Sequence, residues 1–160
     1  MIEGHGTHVA GIIGAKVGNH IYGEGVCPNC KILAVKVLDA TGFGSFFDVA
    51  DGMHYAHTVV TTPATKVINM SVGGANSALI ATEVSHIKAA GKVLVASAGN
   101  DNLTSTANAF PGADPNTALR VMATEENDCR TLFSNFSPAA APTQYNIAVP
   151  GFHIYVQHSL

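Results

Sequence analysis

Near the start of the chain stands Gly4-His5-Gly6-Thr7-His8-Val9-Ala10-Gly11, running into Ile12-Ile13-Gly14-Ala15. A glycine-flanked histidine at the mouth of a small-residue helix suits proton transfer. The positive helix end works against a second proton on the ring, and a general base acts as the neutral imidazole. The glycines let a substrate backbone or a nucleophile's loop come close. Other chemistries fit these residues less well. His5 and His8 have the spacing of a metal half-site, yet no Glu lies between them and no third ligand has matching spacing. Gly4-x-Gly6 lacks the third glycine of a dinucleotide loop, since Val9 stands there. No Gly-x-Ser-x-Gly elbow exists, because Ser97 has Val95 where that pattern needs Gly. Cys27-Pro-Asn-Cys30 has the spacing of a redox motif or half a zinc site. With no second Cys-x-x-Cys, a local loop bridge or free thiols are the expected states, and Cys129 makes the count odd. His54, His57 and His86 fall on predicted helices without paired ligands and are expected to be exposed or satisfied; His20, His153 and His158 are expected in loops.

Composition narrows the partners. The 160 residues are 47% hydrophobic and 12% charged, which excludes a disordered tail and fits one domain. A formal net charge of −3 argues against a nucleic-acid or membrane-surface partner. Apolar runs such as Val93-Leu94-Val95-Ala96 are far short of the roughly 20 residues of a spanning helix, so a soluble chain is expected. The first residues show no signal-peptide pattern.

The elements that must position these residues follow from periodicity. Lys31–Val37 reads as a strand bounded by turn residues. A helix follows, with Ser45 as its cap, Asp48 in its first turn, and Phe47, Ala50, Met53, His57 and Val60 at three- and four-residue spacing; Pro63 marks its exit. Lys66–Ser71 is a second strand. The next helix, capped by Asn76, shows Ile80, Val84 and Ile87 on one face and stops at Gly91. Lys92–Ser97 is a third strand, apolar enough to be covered on both faces. Leu119–Thr124 and Tyr145–Val149 are weaker strands. This alternation predicts an α/β fold, a doubly wound and mostly parallel sheet with helices on both faces. Ligands bind such sheets beyond the carboxyl ends of the strands. The loops at Thr41–Gly44, Ser71–Gly74 and Ala98–Asp101 fall there and are expected to assemble the site.

Gly-His-Gly-Thr-His-Val-Ala-Gly resembles the catalytic-histidine motif of the subtilisin-like serine proteases, the subtilase (peptidase S8) family. Ile68-Asn69-Met70-Ser71-Val72-Gly73-Gly74 resembles that family's substrate-binding strand, and Val95-Ala96-Ser97-Ala98-Gly99-Asn100 the segment with its oxyanion-hole asparagine. Gly25–Pro28 with Ala34–Leu38, Phe133–Phe136 and Ala148–Gly151 resemble further family segments in the same order. The resemblance covers nearly the whole chain, so residues 1–160 are expected to form a partial subtilisin-like peptidase domain in three layers. It implies that His5 is the general base and acid, with His8 its structural neighbour, and that Asn100 donates its amide to the carbonyl oxygen as that atom turns anionic. It implies further that Gly42, Phe43 and Gly44 on one side, and Ser71, Val72 and Gly73 on the other, hold a peptide or protein substrate by its main chain. Neither nucleic acid nor membrane is an expected partner, and the complete protein is expected to be a monomer. The family's habit implies an extracellular location.

The family triad runs Asp, His, Ser, and only the histidine is recognisable here. The chain therefore reads as a central fragment, truncated at both ends, that hydrolyses no peptide bond by itself. The chemistry requires no cofactor. Structural calcium, which many subtilases bind after the histidine helix, would here fall at Lys16–Tyr22, where no acid precedes Glu24. Two rival readings are a non-catalytic subtilase-like protein that binds peptides without cutting, and a nucleotide-binding domain on the same sheet topology.

Overall fold

The computed structural model describes residues 4–18, 20, 23–59, 64–104, 110–137 and 145–155. The chain divides into two compact units, residues 1–45 with 153–160, and residues 46–152.

The first unit is built on α1, His5–Gly14. Gly4 caps it at φ 92°, a left-handed conformation that glycine adopts without a Cβ clash. At the other end the backbone of residues 25–27 satisfies carbonyls that a helix terminus leaves open. Gly25 N donates to Ala15 O at 2.9 Å, Val26 N to Ile12 O at 3.0 Å and Cys27 N to Ile13 O at 2.8 Å. This approach requires glycine, because a Cβ on Gly25 would lie 2.6 Å from Gly14 Cα. A disulfide between Cys27 and Cys30 closes the next turn, so the loop bridge is the state found; Cys129 is an exposed free thiol. The strand expected at Lys31–Val37 is not formed. Those residues have no regular secondary structure, and Ile32 and Leu33 are exposed. β-branched residues supply propensity, but a strand exists only where a neighbour takes its N–H and C=O groups, and none does so among the described residues.

The second unit is α/β, as expected. It comprises α2 (Phe46–Thr58), β1 (Val67–Met70), α3 (Ala78–Ala89), β2 (Val93–Ser97), β3 (Leu119–Thr124) and β4 (Ile147–Pro150). The strands form one parallel sheet in the order β1-β2-β3-β4. Val67 pairs with Val93 and Met70 with Ala96, so β1 and β2 end side by side. Val49, Met53 and Ala56 of α2 and Ile80, Val84 and Ile87 of α3 are buried where the helices pack together, and α3 also packs on β2. Ile68, Met70, Leu94 and Ala96 are the buried apolar strand residues. Burial thus alternates along β2, with Val93 left exposed, and the expected closure of both its faces is not seen.

Two helix details differ from expectation. The buried stripe of α2 runs through Val49 and Ala56, and Phe47 is exposed. Spacing admits either stripe through Met53, and packing against α3 selects the one that carries Val49. The N-cap of α3 is Ser77, in extended conformation, not Asn76. Gly91 does end α3. At φ 67° it donates to Lys88 O at 3.0 Å while Lys92 N donates to Ile87 O at 3.1 Å, the paired bonds of a left-handed helix stop. Val60 and Pro63 lie outside the described residues. No helix among the described residues is long and apolar enough to cross a membrane.

Candidate active site

Because β1 and β2 are parallel and in register, the loops leaving their carboxyl ends meet. They enclose a groove of about 410 Å³ lined by Ser71–Gly74, Ser97 and Gly99–Asp101. The structure therefore brings Ser71, Val72 and Gly73 together with Asn100. On one wall, Asn69 Nδ2 donates to Ser71 Oγ at 3.0 Å. Gly74 and the buried Phe110 exchange two backbone hydrogen bonds of 3.1 Å, which anchor the far end of that wall.

The other wall is a turn. Gly99, at φ 99°, swings the chain out of β2 and leaves Asn100 exposed on the groove. Asn135, 1% exposed, holds this turn from beneath. Its Oδ1 accepts from Asp101 N at 2.9 Å and Leu103 N at 3.0 Å, and its Nδ2 donates to Ala98 O at 3.0 Å and Asp101 Oδ2 at 3.3 Å. Asn135 N also donates to Gly99 O at 2.9 Å. The backbone on either side of Asn100 is thus fixed by one buried side chain. Tyr145 OH adds a bond to Ala98 O at 3.2 Å. Burial pushes the Tyr145 pKa up; Arg120 works against this and Asp101 with it, so the hydroxyl keeps its proton and remains a donor. Arg130 Nη1 donates to Asn102 Oδ1 at 3.0 Å and to Ser134 O at 2.6 Å, and its guanidinium lies 4.1 Å from the centre of the Phe136 ring.

Sequence reasoning did not find Asn135, Tyr145 or Arg130 as supports. Asn135 stood out only within the family-like Phe133–Phe136 segment, and its partners lie 32 to 37 residues away, beyond any local pattern.

The remaining expected site residues belong to the first unit. His5 is the first residue of α1 and is exposed; among the described residues, a Cβ on neighbouring Gly6 would meet nothing within 4 Å. His8 Nε2 donates to Ile154 O at 3.3 Å. Gly42, Phe43 and Gly44 are shaped by Asp39. Its Oδ1 accepts from Thr41 Oγ1 at 2.7 Å, Thr41 N at 2.8 Å and Phe43 N at 3.1 Å, while Asp39 N donates to Phe43 O at 2.8 Å. The Thr41 hydroxyl, then the Phe43 and Thr41 N–H groups, hold the Asp39 carboxyl below its ordinary pKa. Gly42 takes φ 85° in this turn, and Phe43 projects from it, 76% exposed. Asp39 falls among the turn residues that follow Lys31–Val37, and Asp two residues before Thr is a recognisable side-chain turn.

The described residues of the loop after α1 do not make a calcium cage. The one acid there, Glu24, accepts from Gly18 N at 3.3 Å, far from the six to eight oxygen ligands that calcium takes. Asn19, Ile21 and Tyr22 lie outside the described residues.

Residues 2–159 match the family described as Peptidase S8, Subtilase family. The chain belongs to the subtilase family. Thermitase of Thermoactinomyces vulgaris is 38% identical over 155 residues, spanning 96% of this chain and 51% of thermitase. A cuticle-degrading protease of Metarhizium anisopliae is 38% identical over 137 residues, 84% of this chain and 33% of that protease. Among solved structures, a cold adapted subtilisin-like serine proteinase superposes with a TM-score of 0.81 at 30% identity, covering 95% of this chain and 50% of that one. The chain spans between a third and a half of these subtilases, and the groove described above lies within the matched part.

Proposed function

We propose that this chain carries part of the catalytic apparatus of a subtilisin-like serine endopeptidase acting on peptide or protein substrates. The observation that carries the proposal is the groove at the ends of β1 and β2, where Asn100 is held exposed by Asn135 opposite Ser71–Gly73. Asn100 donates to the scissile carbonyl oxygen as it becomes anionic, and the donor is preorganised because Asn135 fixes the turn before the reaction starts. His5, at the positive end of α1, removes the nucleophile's proton and returns it to the leaving amine. Ser71, Val72 and Gly73, with Gly42, Phe43 and Gly44, bind the substrate main chain, which leaves side-chain specificity broad. The reaction is acyl transfer through a serine ester. Nothing in the 160 residues resembles the family's Asp and Ser segments, so these residues alone have no recognised nucleophile for His5 to activate and hydrolyse no peptide. The reaction calls on no metal. Membership of a family that includes a cuticle-degrading protease supports an extracellular site of action.

The test is a titration of the isotopically labelled chain with a protease-substrate peptide, alongside a casein assay. The expected result is amide shifts at Ser71–Gly73 and Asn100 with casein intact. Casein cleavage that a serine-directed phosphonate blocks would overturn the inactivity of these residues. Saturable binding that leaves the groove amides unmoved would overturn the assigned site.

A further inference from the structure

Outside the groove, the helix layer carries a cluster that neither the family resemblance nor the proposed reaction uses. The bare sequence leaves His54, His57 and His86 without partners, but the structure gives all three the same one. Glu83 Oε2 lies 2.9 Å from His57 Nε2 and 3.4 Å from His54 Nδ1, and Glu83 Oε1 lies 3.2 Å from His86 Nδ1. The arrangement follows from two spacings of three on packed helices. His54 and His57 share a side of α2, Glu83 and His86 share a side of α3, and the α2–α3 contact brings the pairs together.

We propose that His54 Nδ1, His57 Nε2 and a Glu83 carboxylate oxygen bind a divalent transition metal of the zinc type, bridging α2 and α3. These three atoms all lie within 4.8 Å of one another. Bonds of about 2.0–2.1 Å in a tetrahedral site place ligand atoms roughly 3.3 Å apart, so small rotamer changes close the set. Two imidazoles and one carboxylate are ligands that zinc accepts and calcium does not favour. Burial is graded usefully. The side chains of His57 and Glu83 are 10% and 13% exposed and are held in place, whereas His54 is 59% exposed and opens the site to an entering ion. His86 is a positioning residue. Its bond to Oε1 turns Oε2 toward the other two ligands, the role that outer partners of metal-bound carboxylates commonly play. A fourth position is left for water. On binding, each ligating imidazole offers the lone pair of the named nitrogen with its proton on the other ring nitrogen, and any second proton is released to solvent. The site stands independently of the proposed protease reading, since it shares no residue with the groove.

The experiment is calorimetric titration of the full 160-residue chain with zinc chloride in a non-chelating buffer, in a Cys129→Ala background that removes the free thiol. The expected result is one ion per chain with a raised thermal midpoint. His54→Ala, a change at an exposed side chain that leaves the helices packed, weakens binding at least 10-fold, and His86→Ala weakens it about 10- to 100-fold. His20→Ala leaves it unchanged. Cobalt substituted for zinc gives a four-coordinate visible spectrum that His57→Gln abolishes, with far-UV circular dichroism confirming that variant's fold. No binding at millimolar zinc, or equal affinity in the wild type and His54→Ala, would overturn the proposal and leave the cluster as a hydrogen-bonded link between two helices.

Discussion

Replacing Asn135 by alanine tests how the Asn100 turn is held. The side chain makes four hydrogen bonds, three of them between 2.9 and 3.0 Å: two accepted from Asp101 N and Leu103 N, and one donated to Ala98 O. The fourth, to Asp101 Oδ2 at 3.3 Å, is longer and reaches an exposed residue. At about 1 kcal/mol net for each well-formed bond, the loss is roughly 3 kcal/mol. Water can reach the exposed Asp101 and Leu103 amides, while Ala98 O loses one of its partners inside the protein, so the range is about 2–4 kcal/mol. For a chain of this length that lowers the thermal midpoint by roughly 6–12 °C. Urea unfolding followed by far-UV circular dichroism measures the global term, and amide exchange at Asp101 and Leu103 measures the local one. Both should move, with exchange at these two amides accelerated before the rest of the fold opens. Asn135→Asp separates the parts, because it keeps the two accepted bonds but sets an oxygen against Ala98 O and a charge beside Asp101. It should be destabilised more at pH 7 than at pH 3, relative to wild type at each pH. An Asn135→Ala variant within about 0.5 kcal/mol of wild type, with unaltered exchange, would refute the reasoning.

Other positions give sharper single readings. Asp39 has a lowered pKa, so its contribution to the 39–43 turn is fully present above its unfolded-state pKa and fades as pH falls through the lower folded value. Chemical shifts at Thr41 and Phe43 should therefore hold steady down to about pH 4 and change below it, and Asp39→Asn should show the acid pattern at neutral pH. Gly25→Ala should disrupt the junction of the 25–27 segment with α1 and cost several kcal/mol by thermal melting, since the clash is with backbone; a change below 1 kcal/mol would contradict the close approach. Ile87→Ala should cost about 2–5 kcal/mol in urea, because the side chain is 0% exposed in the core.

What was legible in the sequence was local. The parallel strands β1 and β2 announce themselves through short apolar runs ending in Ser-Val-Gly-Gly and Ala-Gly-Asn, and Gly91 marks the end of α3 because only a left-handed residue makes that stop. The helix over residues 46–58 was legible too, but its buried stripe was not, since Phe47 and Val49 fit the period equally well and α3 decides between them. Lys31–Val37 has the composition of a strand without a described partner, and composition cannot supply one. Asn135 and Glu83 were invisible for a related reason. Each gathers partners from another element, 26 or more residues away, as in the His57–Glu83 and Asn135–Ala98 bonds. Cys27 and Cys30 left a bridge and free thiols equally open until their turn was placed.

The proposed role of Asn100 is that of a preorganised oxyanion donor. It is tested most directly by the turnover number of Asn100→Leu in a protein that joins residues 1–160 to an aspartate strand and a Gly-Thr-Ser segment. The expected result is a fall of about 10²–10³ in kcat, a magnitude that itself comes from subtilisin, with KM nearly unchanged. An unchanged kcat, or a loss confined to KM, would contradict that role.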